Sequence, residues 1–327
     1  MMYAMSDPHS APHVELATFP TPVEPAPRLA TSIGLGPDDL WIKRDDLTGL
    51  GGGGNKIRKL EWTVGAALAE GADTLVTTGA PQSNHARLTA AAGARLGLDV
   101  VLVLRGSPGA SRSGNLALDG LFGARIAWAG EVDQAGLDRA AAEMCDRLRT
   151  AGASPALIPF GGSSALGARG YARCGEELRK QLPDLRTAVV ALGSGGTMAG
   201  LVIALGAEAV LGVDVGALPE PAAAVSEFAG LPSPEGLRVR RDQVGGGYGT
   251  LTAATAEALT LAARTAGLVL DPTYTGRAMA GLIAAVRDGD IRPGERTVFV
   301  HTGGLPGLFG HAEGVAFAEG QVVPYEA

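Results

Sequence analysis

From about Gly71 the chain alternates short β-rich runs with longer Ala/Leu-rich stretches of helical period, and this alternation limits the possible folds more than any other feature. The apolar runs, bounded by turn residues, suit strands buried on both faces, and the stretches between them suit crossover helices. Strands are expected at Thr74–Thr78, Asp99–Leu104, Arg125–Trp128, Ala156–Pro159, Ala188–Leu192, Val210–Val215 and Thr297–His301. Helices are expected at Ala86–Leu96, Gln134–Ala151, Leu166–Gln181, Thr197–Ala207, Ala253–Ala266 and Gly276–Asp288. The expected class is α/β, doubly wound, with parallel sheets flanked by helices. Leu218–Gly249, rich in proline and glycine, reads as irregular and as part of a cleft wall.

A chain of 327 residues accommodates two domains or one large one. Its 46% hydrophobic and 19% charged residues are globular composition, with no apolar run of the roughly 18 residues a membrane helix needs. The N-terminal MMYAMSDPHSAPH lacks the basic and apolar regions of a secretion signal, so a cytoplasmic location is expected. Two cysteines, Cys145 and Cys174, are too few for a disulfide framework or a Cys-rich metal site; buried thiols and no metal are expected. The net charge of −7, with basic residues scattered, gives no footprint for nucleic acid. A small-molecule substrate is expected, with neither nucleic acid nor membrane as partner.

Only four of the 27 basic residues are lysines: Lys43, Lys56, Lys59 and Lys180. Lys56 follows four glycines and Asn55, which stands in the position of an N-cap, so Lys56 falls in the first turn of a helix. The positive end of a helix dipole disfavours a second cation and so favours a neutral, nucleophilic amine. Gly193-Ser194-Gly195-Gly196-Thr197 follows an apolar strand and opens a helix, as a cradle for a phosphate monoester would. It is neither a Walker A loop nor a dinucleotide fingerprint, because no Gly-Lys-Ser/Thr follows and Met198 occupies the third glycine position. Gln82-Ser83-Asn84-His85 and His301-Thr302-Gly303-Gly304 also end strands, and carboxyl ends of strands are where open α/β sheets bind ligands. Each motif also has a structural reading: Ser83 or Asn84 as a helix cap, Tyr248 and Tyr274 as half-buried core tyrosines, and HTGG as a strand-ending turn.

Taken together the motifs resemble one family, the D-cysteine desulfhydrase and 1-aminocyclopropane-1-carboxylate deaminase group of fold-type-II pyridoxal-phosphate enzymes. The matching pieces are Ile42–Gly49, Gly53–Glu61, Gly79–Arg87, Ile158–Tyr171, Gly193–Leu201, Leu270–Leu282 and Phe299–Phe309, in order from about Phe19 to Phe309. The resemblance implies a tryptophan synthase β-like architecture. Residues 56–169 would form a smaller domain closing over a larger one made of 1–55 and 170–327. It implies pyridoxal 5'-phosphate as cofactor, a homodimer, and Lys56 as the Schiff-base lysine. Gly193, Ser194, Gly195, Gly196 and Thr197 match the phosphate loop, Asn84 the residue beside the cofactor's 3'-hydroxyl, and Thr302 a hydroxyl facing the pyridine nitrogen. Ser83, Asn84 and His85 fall at the substrate, and Tyr248 and Tyr274 match active-site tyrosines.

The family's deaminases carry glutamine at the position of His85 and glutamate at that of Thr275, and both departures favour the desulfhydrase branch. A threonine near the ring nitrogen gives a weaker electron sink, which suits elimination of a good leaving group. Ser164 and Arg277 stand where the family has asparagine and lysine. The expected reaction is β-elimination from D-cysteine to pyruvate, sulfide and ammonia, with Lys56 as base and Tyr274 or Tyr248 as proton donor. The same scaffold could serve a 1-aminocyclopropane-1-carboxylate deaminase, or a cysteate sulfo-lyase with Arg112 or Arg277 for the sulfonate. It could also serve a non-catalytic carrier of pyridoxal phosphate or another phosphate ligand.

Overall fold

A computed structural model describes residues 11–109 and 113–324. The strands are β1 (Val23–Pro25), β2 (Leu40–Lys43), β3 (Thr74–Gly79), β4 (Asp99–Leu104), β5 (Arg125–Trp128), β6 (Pro155–Leu157), β7 (Thr187–Leu192), β8 (Val210–Asp214), β9 (Arg238–Arg240) and β10 (Thr297–Val300). The helices are α1 (Pro27–Ser32), α2 (Lys56–Ala69), α3 (Asn84–Leu96), α4 (Asn115–Leu121), α5 (Gln134–Thr150), α6 (Ala165–Gln181), α7 (Gly196–Leu205), α8 (Pro221–Ala229), α9 (Ala253–Ala266), α10 (Thr275–Arg287), α11 (Leu305–Phe309) and α12 (Ala312–Glu319). Two sheets result. One has the order β1-β2-β10-β7-β8-β9, parallel except for the β1 edge, and the other, β5-β4-β3-β6, is parallel throughout.

The continuous apolar runs read as strands buried on both faces behave that way: every residue of β3 and β7 is buried. Each sheet has a core on either face. Ile42, Val189, Val213 and Phe299 face α9 and α10, while Val190, Leu192, Val210 and Val298 face α6 and α7. Leu75, Leu102 and Leu104 pack with α2 and α3; Val76, Val101 and Val103 pack with α5. Both cysteines are buried and free. Among the described residues no helix is long and apolar enough to cross a membrane, and no His/Cys/Asp/Glu cluster could hold a metal.

The expected strand at Ala156–Pro159 instead ends at Leu157, because Pro159 has no N–H for the ladder and leads into a tight turn. Leu218–Gly249 is not wholly irregular, since it contains α8 and β9. The short β1, β2 and β9, absent from the sequence expectation, are held by partner strands rather than by a pattern of their own.

A buried ionic network fixes α2 against β2 and α6. Arg58 donates to both carboxylate oxygens of Asp45, at 2.8 and 2.9 Å, and to both of Glu177, at 2.8 Å each. Lys43 donates to Glu177 at 2.6 Å, and the Tyr171 hydroxyl to Asp45 at 2.5 Å. Two cations thus face two carboxylates, and Arg58 lies on the Phe19 ring, 4.1 Å from its centroid. The helices approach closely at Gly170, where a Cβ would collide with the Arg58 carbonyl oxygen. The IKRDDLTG motif therefore acts structurally through Lys43 and Asp45. Burial alone would raise the Asp45 carboxyl, but Arg58 and the hydrogen bonds hold it below the ordinary value. Its stabilisation is complete above the unfolded-state carboxyl pKa and is lost as pH falls through the lower folded value. Arg58→Met leaves the buried Asp45 carboxylate without its ion-pair partner, while Glu177 keeps Lys43; urea unfolding near neutral pH is expected to show a loss of about 3–5 kcal/mol, with a flatter decline on acidification than in the parent chain.

Candidate active site

The loops leaving β3, β7 and β10 converge. Asn84 at the start of α3, Gly193, Ser194, Gly195, Thr197 and Thr302 line one small hollow together with Asn55, Lys56 and Lys59. This hollow shares Lys56, Asn84, Ser194 and Tyr274 with a larger cavity of about 320 Å³. Ser83, His85 and Tyr248 border the larger cavity, so the residues expected from the sequence are gathered about one cleft.

Lys56 begins α2, as expected, but Asn55 is no side-chain cap. Its backbone is already helical, and its Nδ2 donates to Thr197 Oγ1 at 3.0 Å while its backbone N–H donates to the Thr302 carbonyl at 3.0 Å. Two distant loops outbid local capping, and in doing so they pin the lysine between them. The surrounding protein strips water from the Lys56 amine and lowers its pKa to about 8, a hydrogen bond with Lys59 acting in the opposite direction. Burial, more than the helix dipole, is thus the main cause.

Lys59, which had no distinguishing signal beside it, is equally part of the site. Its amine donates to Ser163 Oγ at 3.0 Å and the Gly161 carbonyl at 3.3 Å, and burial and the Lys56 charge hold it well below the ordinary lysine value. Ser163 Oγ in turn meets Ser194 Oγ at 2.7 Å and accepts from Gly196 N–H at 3.2 Å, joining Lys59 to the glycine loop. The signal that could have found Lys59 was its spacing: three residues on, it shares a helix face with Lys56.

The glycine loop fits a phosphate. Gly195 has φ +91°, a conformation that L side chains rarely adopt, and a Cβ on Gly196 would lie 2.7 Å from Ser163 Oγ. The first amides of α7, the Ser194 and Thr197 hydroxyls and the Lys59 amine surround a space bordered, among the described residues, by no carboxylate. These residues suit the cofactor expected from the sequence: a buried amine of lowered pKa at one end, an anion cradle at the other.

Hydrogen-bond logic fixes two orientations. Arg87 can only donate, and it donates to Asn115 Oδ1 at 3.0 Å, so Asn115 turns its Nδ2 to Asn84 Oδ1, also at 3.0 Å. The Asn84 amide N–H groups are left facing the hollow. Thr77 donates to the Ile158 carbonyl at 2.9 Å, so its oxygen accepts from His85 Nε2–H at 2.8 Å. His85 is then the Nε2–H tautomer, with a buried, unpartnered Nδ1 lone pair. Burial, then the two lysine charges, holds its pKa well below the ordinary histidine value.

Ser83 does cap α3, accepting from Ala86 N–H at 3.1 Å, yet its own hydroxyl proton remains available to the cavity it borders. Tyr248 and Tyr274 share a hydrogen bond of 2.6 Å, their rings edge-on at 6.0 Å. Burial, then the neighbouring phenol, holds Tyr274 well above the ordinary tyrosine value, so it is a proton donor at neutral pH. Thr275 is not at the cavity surface: its hydroxyl donates to Asp271 at 2.7 Å and accepts from the Asp271 N–H at 2.8 Å. Thr302, like Thr197, lines the hollow. Arg277, a candidate for a sulfonate, is committed to the carbonyls of Val215, Gly247 and Thr250 and so supports the Tyr248 loop. Arg112 lies outside the described residues. Ser164 caps α6 through Gly167 N–H at 3.0 Å.

Gly195→Ala forces a Cβ onto the left-handed backbone at a cost of about 1–2 kcal/mol, with Ala224 Cβ only 3.2 Å away. Titration of the apoprotein with pyridoxal phosphate, followed by visible absorbance, is expected to show about 5- to 30-fold weaker binding.

The comparisons with known proteins point to the same cofactor. The model of the pyridoxal-phosphate dependent enzyme family matches residues 14–303. The chain is 41% identical over 323 residues to the D-cysteine desulfhydrase of Klebsiella pneumoniae, covering 92% of this chain and 96% of that protein. It is 38% identical over 318 residues, with 92% and 94% covered, to a Pyrococcus furiosus protein described provisionally as a 1-aminocyclopropane-1-carboxylate deaminase. Among solved structures, an ACC deaminase homologue matches with a TM-score of 0.84 at 37% identity, covering 94% of this chain and 97% of that one. Pyridoxal phosphate is the cofactor and the architecture is fold type II. The chain belongs to the pyridoxal-phosphate dependent enzymes, in the group that unites 1-aminocyclopropane-1-carboxylate deaminases with D-cysteine desulfhydrases.

Proposed function

We propose that the chain is a lyase that removes the β-substituent of a small amino acid, with D-cysteine, giving pyruvate, sulfide and ammonia, as its first substrate. The observation that carries this reading over ring-opening deamination is the pairing of Thr302 with Thr275. Thr302 lines the hollow, where its hydroxyl would meet the cofactor's ring nitrogen, while Thr275 and the neighbouring backbone N–H groups of Thr273, Tyr274 and Thr275 occupy the Asp271 carboxylate. A hydroxyl there, unlike a carboxylate, would not hold a proton on the ring nitrogen. Bound pyridoxal phosphate then supplies a moderate electron sink at Cα, enough where the leaving group carries part of the charge.

The residues divide the work. Lys56 would hold the cofactor, and its amine, when free, would take the α-proton of the substrate on Nζ. The open N–H groups at the start of α3, with the Ser83 hydroxyl and the Asn84 amide, receive the substrate carboxylate. His85 Nδ1 accepts a hydrogen bond from substrate. Gly193–Thr197 would hold the phosphate, with Lys59 supporting the loop through its hydrogen bond to Ser163. The Tyr248–Tyr274 pair, protonated at neutral pH, donates to the departing sulfur. Closure of residues 56–169 over the remainder would exclude water, and two copies would form a homodimer.

A second reading, 1-aminocyclopropane-1-carboxylate deamination, is favoured by the Pyrococcus relative's description, and the same tyrosine pair could serve it. Yellow holoenzyme given D-cysteine and the cyclopropane amino acid in turn separates the two. Sulfide with equimolar pyruvate is expected from the first and no 2-oxobutyrate from the second; 2-oxobutyrate without sulfide would overturn the lyase reading. Tyr274→Phe is expected to lower kcat on D-cysteine about 100-fold, and less on β-chloro-D-alanine, whose leaving group needs no proton. Because Lys56 titrates at about 8, the rate of cofactor attachment to apoprotein, followed by absorbance, should rise with pH as the neutral amine appears and level off above that value.

A further inference from the structure

The two tyrosines of the larger cavity are held unequally. Tyr274 directly precedes α10, and the backbone N–H groups of Thr273, Tyr274 and Thr275 are fixed on the Asp271 carboxylate. Tyr248 stands among glycines, of which Gly245, Gly247 and Gly249 have φ of +60°, +126° and +86°. Glycine on either side leaves the backbone its widest choice of conformations. A Cβ on Gly247 or Gly249 would meet no atom within 4 Å, and Tyr248 itself is 43% exposed, so packing does not set where its phenol lies. The 2.6 Å hydrogen bond between the two phenols needs another constraint.

Hydrogen bonds to the backbone of the loop supply it. Arg277 on α10 donates to the carbonyls of Gly247 and Thr250, at 2.6 and 2.8 Å. The start of α12 holds the same loop. His311 Nδ1 accepts from Gly314 N–H at 3.1 Å, which places the ring proton on Nε2, and Nε2–H donates to the Gly249 carbonyl at 2.5 Å. Glu313 accepts from Leu251 N–H at 3.4 Å. This turn of α12 also packs against the segment of the second tyrosine, since a Cβ on Gly314 would lie 2.7 Å from Pro272, two residues before Tyr274. His311 thus caps its own helix with one nitrogen and grips the residue after Tyr248 with the other.

We propose that His311 is a positioning residue for the proton donor, fixing the Tyr248 loop on α12 so that the Tyr248–Tyr274 hydrogen bond is already made when substrate arrives. The proposal rests on the β-elimination reading, in which that pair donates to the departing sulfur, and gives the donor's alignment to a residue that lines neither the hollow nor the larger cavity. A donor held in place spares the reaction a search among loop conformations. The role bears on leaving groups that need a proton. As the Cβ–S bond breaks, its electron pair stays on sulfur and the phenol's proton goes to it, whereas chloride leaves as the bare anion.

Two substitutions separate the work of the two ring nitrogens. In His311→Asn the side chain still accepts from Gly314 N–H as a cap but is too short to reach Gly249; in His311→Gln the side-chain amide reaches Gly249 but no longer caps. Holoenzyme of each is assayed with D-cysteine and β-chloro-D-alanine, and hydrogen exchange of the 245–251 backbone is followed by mass spectrometry. His311→Asn is expected to speed that exchange at an unchanged urea midpoint, and to lower the ratio of kcat on D-cysteine to kcat on β-chloro-D-alanine about 10-fold. His311→Gln should lower the urea midpoint yet recover most of the ratio. Added to Tyr274→Phe, His311→Asn should lower the ratio no further, because both changes act on one unit. An equal loss on the two substrates, a loss in His311→Gln as deep as in His311→Asn, or faster exchange with the ratio unchanged would each overturn the positioning role. Sulfide and pyruvate missing from the parent holoenzyme with D-cysteine would defeat the lyase reading, and this role with it.

Discussion

Asn55 ties the active site together. Its backbone donates to the loop after β10 and its side chain to the loop after β7, so the first turn of α2 is clamped between two segments far away in sequence. Lys56, next in the chain, has its position set by that clamp and not by the four glycines before it. Those glycines instead allow the chain to turn sharply beneath Arg87, which donates to the carbonyls of Gly51 and Gly53. The same guanidinium orders Asn115 and through it Asn84, so one arginine sets both the approach to the lysine and the amide that faces it.

The electrostatics of the cleft follow from what is buried and what is paired. Two carboxylates and two cations are drawn into the network beneath α2, which leaves Lys56 and Lys59 without an acidic partner in the hollow. Burial lowers both amines, and the Lys56 charge lowers Lys59 further, so the two do not both remain charged. An arriving phosphate dianion relieves that repulsion, so the protein is most unfavourable to itself where the cofactor is most favourable to it.

Much of this was legible in the sequence because it is encoded locally. β3, β4 and β5 follow from apolar runs, and the three loops that line the cleft follow from glycine, serine and asparagine placed directly after strands. What was not legible depends on partners remote in the chain. Asn55 has the composition of a cap but is claimed by Thr197 and Thr302; Thr275 looks like a site residue but is held by Asp271, four residues earlier. Lys59, Asn115 and His311 carry no motif that marks them, and only the meeting of the loops shows that the first borders the cleft and the other two hold segments that do. β1, β2 and β9 are too short to announce a period and exist through their neighbours.

The central claim is that Lys56, rather than its equally withdrawn neighbour Lys59, carries the cofactor. Borohydride reduction of the yellow holoenzyme, followed by proteolysis and mass spectrometry of the Gly53–Glu61 region, tests it directly. A pyridoxyl mass on Lys56, lost in Lys56→Ala and retained in Lys59→Met, is the expected result; a label on Lys59, or covalent label persisting in Lys56→Ala, would contradict the account.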